Sequence, residues 1–485
     1  MTTEQTDFSY DLVIIGAGSA GCCAALAAAR ENPRLRILLV EKQAKPGGTA
    51  VTSGVSNWEP GLGSAGFHTL IARRLIARGK GCVGRSTLPV AADRPFALSE
   101  PCTDPYEATL QRAGLSAQDW RRFHFNPDAL ADELRAMLDA AGIDLFLSTE
   151  FHRAISSDRV IRTAELHREG RQVTVSGRFW IDSSADIVLA RSAGCASWLG
   201  EDPVQRFQEP SAPLQASRSV NGVSLIFRIE AGNPGNEADR PTPGKQLNVA
   251  DWSTRQLVNN QPVSFVTKEP DGTLCFNMLP TMEGAHYLAL GDEKALAVCT
   301  ARVYHYVRWL RTQKGMSGFR LQSIAQSLGV REKYRLQACY VLREQDILQP
   351  FGSQTLFSEA IAFADHPLDL HGQAHHSIAR HGLSELQPYA IPYSCLLPRE
   401  KDNFLVACRG AGFSHIAASS CRLTRTMMAL GEAAGTAATL CLATGEPAQS
   451  VNRAQLRDRL AIRQLEQAIR KQQLSQISNV MTTDK

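Results

Sequence analysis

Short apolar runs separated by small-residue or amphipathic stretches mark the elements of this chain. Leu12-Val13-Ile14-Ile15 reads as a fully buried strand, and the small residues that follow as far as Ala29 predict a closely packed helix. Ile37-Leu38-Leu39-Val40 predicts a second buried strand. Phe67 to Ala77 carries Leu70, Ile71, Leu75 and Ile76 at helical spacing. Asn126-Pro127-Asp128 opens another helix, with a capping side chain and a proline suited to the first turn, and Leu130, Leu134, Met137 and Leu138 form its apolar face. It ends at Ala141-Gly142. Strands follow at Ile143 to Leu147, through Val173 to Val175, and at Phe179 to Asp182, where a turn begins. Further on, Val223 to Ile229 predicts a strand and Ala295 to Arg311 a helix bearing Val298, Val303 and Leu310. Phe404 to Cys408 is one more buried strand. A small-residue helix over Thr424 to Leu442 and an amphipathic helix over Arg453 to Arg470 complete the pattern. Lys80 to Asp119, with prolines at 89, 95, 101 and 105, reads as an irregular insertion or lid.

The junction between the first strand and helix is Gly16-Ala17-Gly18-Ser19-Ala20-Gly21. In this pattern Gly16 permits a sharp turn, Gly18 lets backbone approach a pyrophosphate, and Gly21 lets the helix pack on the sheet. The phosphates would rest on the helix N-terminus at Ser19 and Ala20, where unpaired N–H groups favour an anion. Glu41 ends the second strand about 20 residues beyond Gly21, the place of a ribose-binding acid. After Glu41 comes Lys42-Gln43-Ala44-Lys45-Pro46-Gly47-Gly48-Thr49-Ala50, with no return to the α/β alternation of a nicotinamide domain. That favours FAD. A loop rich in Gly, Ser and Thr, from Thr49 to Gly66 and including Ser53, can then run along the cofactor.

Composition narrows the class without naming a reaction. The chain has 485 residues, 44% hydrophobic and 21% charged, which suits two or three globular domains. A net charge of +4 over that length gives no nucleic-acid surface. No stretch reads as a membrane span and no secretory signal is visible, so a cytoplasmic protein is expected. Twelve cysteines without a C-x-x-C pair argue against zinc, iron–sulfur and disulfide frameworks. Cys22 and Cys23 fall in the packed first helix, and the paired cysteines of a flavin disulfide reductase are missing after Gly48.

Several stretches carry a family resemblance. Lys42 to Ala50 resembles the Gly-Gly turn of the glutathione-reductase-like FAD fold. Phe179 to Gly194, Leu328-Gly329-Val330-Arg331-Glu332, Pro367-Leu368-Asp369-Leu370-His371 and Asn403 to Gly435 resemble motifs of the FAD-dependent oxidoreductases related to fumarate reductase and succinate dehydrogenase flavoproteins. The chain departs from the pattern at Ser183-Ser184-Ala185, Ile416 and Arg425. The resemblance implies an α/β fold, a Rossmann-like FAD-binding domain with an inserted α+β substrate domain. Its parts are expected at 1–78, 124–216 and 395–450, with an insertion or lid at 79–123, the substrate domain at 217–394 and a C-terminal helix and tail at 451–485.

The same resemblance implies site residues. Gly16, Gly18, Ser19, Ala20, Gly21, Glu41, Lys42, Gly47, Gly48, Thr49, Ser53, Ala185, Asp186, Arg409, Gly431 and Ala434 are expected to hold FAD. The helix starting near Leu423 would aim its N-terminus at the isoalloxazine, with Gly431, Ala433, Ala434 and Gly435 approaching the sheet. His415 is expected to assist proton transfer and Arg422 to position an acidic group. Arg331 and Glu332 read as an ion pair that stabilises the inserted domain. His366, His371, His375, His376 and His381 read as a mobile, solvated loop near the substrate mouth rather than a metal site. The expected function is FAD-dependent oxidation or reduction of a small organic, possibly acidic, substrate by hydride transfer at flavin N5. A flavin monooxygenase or oxidase, and a non-catalytic flavin sensor or partner subunit, are the alternatives. A small-molecule substrate is the only partner expected, and an oligomer is compatible with the sequence.

Overall fold

The structure is a computed structural model that describes residues 7–59, 61, 65–85, 101–102, 121–232, 257–258, 261–262, 264–278, 281–313, 316–371 and 388–483. Its largest sheet has seven strands. At its centre the apolar run is the inner half of Asp7–Ile15, and Leu12 to Ile15 are all buried. This strand pairs in parallel with Ile37–Val40 on one side and with Arg171–Asp182 on the other. Asp144–Phe146 extends the sheet beyond Ile37–Val40. The stretches at Val173 and Phe179 belong to one 12-residue strand. Its first half pairs antiparallel with Val160–Arg168, which continues to Thr149–Ser157, and its last three residues pair in parallel with Phe404–Val406. The fold is thus a mixed α/β one with a Rossmann-like parallel core.

Helix Ser19–Glu31 leaves the first strand and packs along Thr424–Thr444. Thr424–Thr444 is long and apolar enough to cross a membrane, yet most of it is buried in this fold. Phe67–Ala77 and Pro127–Ala140 form where their periodicity places them, and Asn126 caps the second by accepting from the Ala129 N–H at 3.1 Å.

A second sheet has the order Ser264–Lys268, Leu274–Met278, Phe227–Ala231, Phe319–Ile324, all antiparallel. Its core stacks Phe227 on Phe276, with Tyr306 edge-on from the helix Gly284–Gln313, which kinks at Gly291. The strand expected from Val223 starts at Phe227, since Val223 and Ser224 make isolated bridges to Met282 and Gly329. This core gathers side chains between Val220 and Val330, whereas buried side chains from Leu336 onward join the larger core or a small third one.

The expected lid contains ordered structure. Pro101–Cys102 pairs with Gly81–Arg85, which pairs with Arg121–Phe125 and through it joins Asn57–Trp58 in a four-stranded antiparallel sheet. The rest of that expectation, 86–100 and 103–120, lies outside the described residues. The C-terminal amphipathic stretch is two helices, Arg453–Arg459 and Ile462–Thr483, broken where Ala461 turns left-handed.

Candidate active site

The glycine turn opens onto a cavity of about 1540 Å³ that also reaches the region of the second sheet at Ser224, Ile226 and Asn277. Gly16 has φ +101°, and a Cβ there would lie 2.7 Å from the backbone of Ser183 and Ser184. Gly21 faces the carbonyl of Gly16, leaving no room for a side chain. Gly18 differs: nothing stands within 4 Å of its missing Cβ, and it lines the cavity with Gly16, Ser19 and Ala20. Gly18 is also the N-cap of the first helix and supplies no capping side chain, so first-turn N–H groups remain available to an anion.

Glu41 lies beside this turn. One carboxylate oxygen accepts from the Ala17 N–H at 2.8 Å and the other from the Gln43 N–H at 3.0 Å. Burial raises its pKa, and the two N–H donors work against that rise. Lys42, Gly48, Thr49 and Ser53 line the cavity, while Gly47 shapes the turn with a left-handed backbone and an N–H bond to the Ala17 carbonyl. Ser53 donates to the Leu328 carbonyl at 3.0 Å, which ties this loop to the chain that packs on the second sheet. Ala185, Asp186 and Arg409 are on the wall too, and Asp186 pairs with Lys333 at 3.1 Å. Asp182 is structural: it accepts from the N–H groups of Ser184 and Ala190, and burial raises its pKa to about 6.

Several expectations change. Gly431 and Ala434 do not line the cavity. Gly431 and Gly435 abut the carbonyls of Ala20 and Ala24, so the close approach is to the first helix and not to the sheet. His415 is off the cavity wall as well. It is wholly buried, its Nδ1 bonds Glu332 at 2.8 Å, and its backbone N–H donates to Asp202 at 2.9 Å. Burial pulls its pKa down, but Glu332 overrides this and the net direction is upward. The histidine loop is not solvated where it is described. His366 and His371 are 7% and 8% exposed, and both line the cavity; His375, His376 and His381 lie outside the described residues.

The end of the cavity away from the glycine turn is crowded with charge. Glu59 pairs with Arg122 at 2.7 Å, and its other oxygen lies 3.1 Å from His366 Nε2. Asp369 takes Arg422 at 2.7 Å and His371 Nε2 at 2.9 Å. Arg425, the departure from the family pattern, pairs with Asp365. The Arg331–Glu332 ion pair does not form: Glu332 serves His415 and Arg335, whereas Arg331 points into the cavity wall beside Arg422. Glu59 and Arg122 gave no sign in the sequence because the groups they meet, each other and His366, are distant along the chain. Only the Pro367 to His371 motif pointed to this wall. The helix Thr424–Thr444 begins here, and its N-cap residue Leu423 provides no capping side chain.

This is the site of a nucleotide-dependent redox enzyme: a Rossmann-like turn, a ribose acid and two uncapped helix N-termini share one cavity with a polar second compartment. The family described as FAD dependent oxidoreductase matches residues 11–460, and the chain belongs to it. The protein is therefore an FAD-dependent oxidoreductase. Its residues fit the cofactor, since the open space over Gly18 and the anchored Glu41 are the features that a pyrophosphate and an adenosine ribose require. No curated protein sequence matches the chain.

Among solved structures, the chain is similar to a geranylgeranyl bacteriochlorophyll reductase-like protein from Thermoplasma acidophilum at 10% identity, with 97% of this chain and 87% of that chain covered and a TM-score of 0.47. A flavoprotein/dehydrogenase from Cytophaga hutchinsonii gives 13% identity, 95% and 83% coverage and a TM-score of 0.43. A p-nitrophenol 4-monooxygenase from Pseudomonas putida DLL-E4 gives 9% identity, 70% and 71% coverage and a TM-score of 0.40. None of these likenesses bears on substrate.

Proposed function

We propose that the protein oxidises or reduces a small organic acid by hydride transfer at flavin N5. The resemblance of its motifs to those of fumarate reductase and succinate dehydrogenase flavoproteins supports this reading, and Arg331 carries it. Its guanidinium donates to the Gly222 carbonyl at 2.6 Å and to Ser224 Oγ at 3.0 Å, and among the described residues it makes no ion pair. Burial, with Arg422 nearby, lowers its pKa to about 9. A half-buried cation with only neutral hydrogen-bond acceptors is costly, and an anionic substrate group offsets that cost. Arg422 is less suited to the clamp because Asp369 already neutralises it.

When bound, FAD supplies the two-electron chemistry. The chain's own work is to hold the acid on Arg331 and to orient it with the Arg422–Asp369–His371 group. The test is a panel of small carboxylic acids and their neutral amides, scored anaerobically by the flavin absorbance of oxidised and reduced protein. At least one acid is expected to change the flavin's oxidation state, and Arg331→Met is expected to abolish saturation by that acid while FAD stays bound. Equal turnover of an acid and its amide by the parent would overturn the reading.

A further inference from the structure

Arg331 stands where a charged wall gives way to an apolar one. Five arginines line the cavity, and four of them stand by an acid: Arg122 by Glu59, Arg409 by Asp186, Arg422 by Asp369 and Arg425 by Asp365. Among the described residues Arg331 alone of the five has no acid beside it; its partners are the Gly222 carbonyl and Ser224 Oγ. One uncompensated cation answers one carboxylate. A second carboxylate on the same ligand would meet only guanidinium groups that are already neutralised.

Beyond Ser224 the wall turns apolar. Ser224 and Ile226 lie two residues apart at the entry to the strand Phe227–Ala231, where alternation turns both toward one face, and both line the cavity. Leu328 and Val330, just before Arg331, line it from the neighbouring segment. Gly54 packs here too, since a Cβ on it would lie 3.4 Å from Ile226 Cγ2, and Val55 after it is on the wall. The serine between these side chains is already partnered: Ser53 bonds Ser327 at 2.9 Å and the Leu328 carbonyl at 3.0 Å. From the helix Gly284–Gln313 comes Leu296, one turn after Asp292, and both line the cavity. The Asp292 side chain is 66% exposed, so this end of the cavity opens to solvent.

We propose that the substrate is a monocarboxylic acid with an apolar carbon chain, its carboxylate on Arg331 and its chain along Ile226, Leu328, Val330 and Leu296. The inference rests on the organic-acid reading above and narrows it. Each methylene laid against this wall leaves water for an apolar surface and adds to binding. A charged group at the far end of the chain would instead lose its water to side chains that offer it no hydrogen bond. The compartment therefore selects against acids that are charged at both ends.

Binding of straight-chain acids from propanoate to decanoate tests this, measured by isothermal titration calorimetry on the oxidised, FAD-loaded enzyme. Affinity is expected to rise about threefold to fourfold per added methylene and to level off once the chain passes Leu296 into solvent. A dicarboxylic acid of the same length should bind at least about tenfold more weakly than the monocarboxylic one. Leu296→Asn, checked for parental FAD content and Tm, should weaken the longer acids more than propanoate. Equal weakening of all of them would take the chain off this wall. Acids that bind alike whatever their length, or dicarboxylic acids that bind best, would overturn the proposal and leave the organic-acid reading standing; that outcome needs only the parent enzyme. If alcohols and amides bind as tightly as acids of equal length, the organic-acid reading itself fails, and the monocarboxylic acid fails with it.

Discussion

His415 and Glu332 form a 2.8 Å ion pair in which both side chains are 1% exposed, immediately behind the cavity wall. Glu332 also forms an ion pair with Arg335 at 2.9 Å and accepts from the Asn221 amide at 2.9 Å, and Asn221 in turn accepts the His371 N–H at 2.9 Å. The pair thus braces the loop that carries His371 without touching the cavity. Glu332→Gln removes one partner of a buried pair, which costs about 3–5 kcal/mol because the other charge is left uncompensated. Differential scanning calorimetry should show the loss as a lower Tm. His415→Ala should likewise lower Tm and leave the single-turnover flavin rate of folded protein within about tenfold of the parent, since the ring is not at the reacting atoms.

The same pair sets a pH window. The His415 pKa is raised above its ordinary 6.5, so its stabilisation is complete below that value and is lost as pH rises through the folded pKa. The Glu332 pKa is lowered below its ordinary 4.5, so its share is complete above that value and is lost as pH falls through the folded one. Urea unfolding of the parent and of Glu332→Gln should therefore differ most between 4.5 and 6.5. The gap should narrow toward alkaline pH. A gap that widens there would contradict the pairing.

Glu41 gives a cofactor prediction. Both of its oxygens accept backbone N–H groups, from Ala17 and from Gln43, on the wall of the nucleotide compartment. Glu41→Gln can satisfy only one of these with its carbonyl and turns an NH₂ group toward the other donor. Charged hydrogen bonds of this type contribute about 1.5–3 kcal/mol each. FAD affinity should fall by roughly tenfold to a hundredfold, measured by fluorescence titration of the apoprotein. Parental affinity would show that Glu41 shapes the turn and does not contact the ribose.

What the sequence made legible follows from the range of the interactions. The turn at Gly16, the acid at Glu41 and the helix capped by Asn126 are local, so a few neighbouring residues specify them. His415 was misplaced because the groups that bury it, Asp202 and Glu332, lie 213 and 83 positions away. His366 and His371 looked like a polar loop for a similar reason. The acid beside His371 is two residues away in a recognisable motif, but Glu59 reaches His366 only through the fold. Gly431 and Gly435 show a different limit. Small residues one turn apart announce a close approach without saying to what, and the partner proved to be a helix some 400 residues earlier.

That helix crossing separates packing from cofactor binding. A Cβ at Gly431 meets the carbonyl of Ala20, and a Cβ at Gly435 meets the carbonyl of Ala24, one turn farther along the first helix. Backbone cannot yield as a flexible side chain does, so Gly431→Ala and Gly435→Ala should each cost about 1–3 kcal/mol. Their effects on FAD should differ. Ala20 lines the cavity in the first turn of the helix, where the N–H groups are free for phosphate, whereas Ala24 does not line it and lies deeper in the packed interface. Pushing the helix away at Ala20 displaces those donors; pushing it away at Ala24 strains the interior first. Thermal unfolding should rank both variants below the parent, and FAD titration should show weakened binding in Gly431→Ala beyond that in Gly435→Ala. Equal loss of affinity in the two variants would mean that the first helix moves as a rigid body. An unchanged Tm in both would mean that the crossing is looser than its two glycine contacts require.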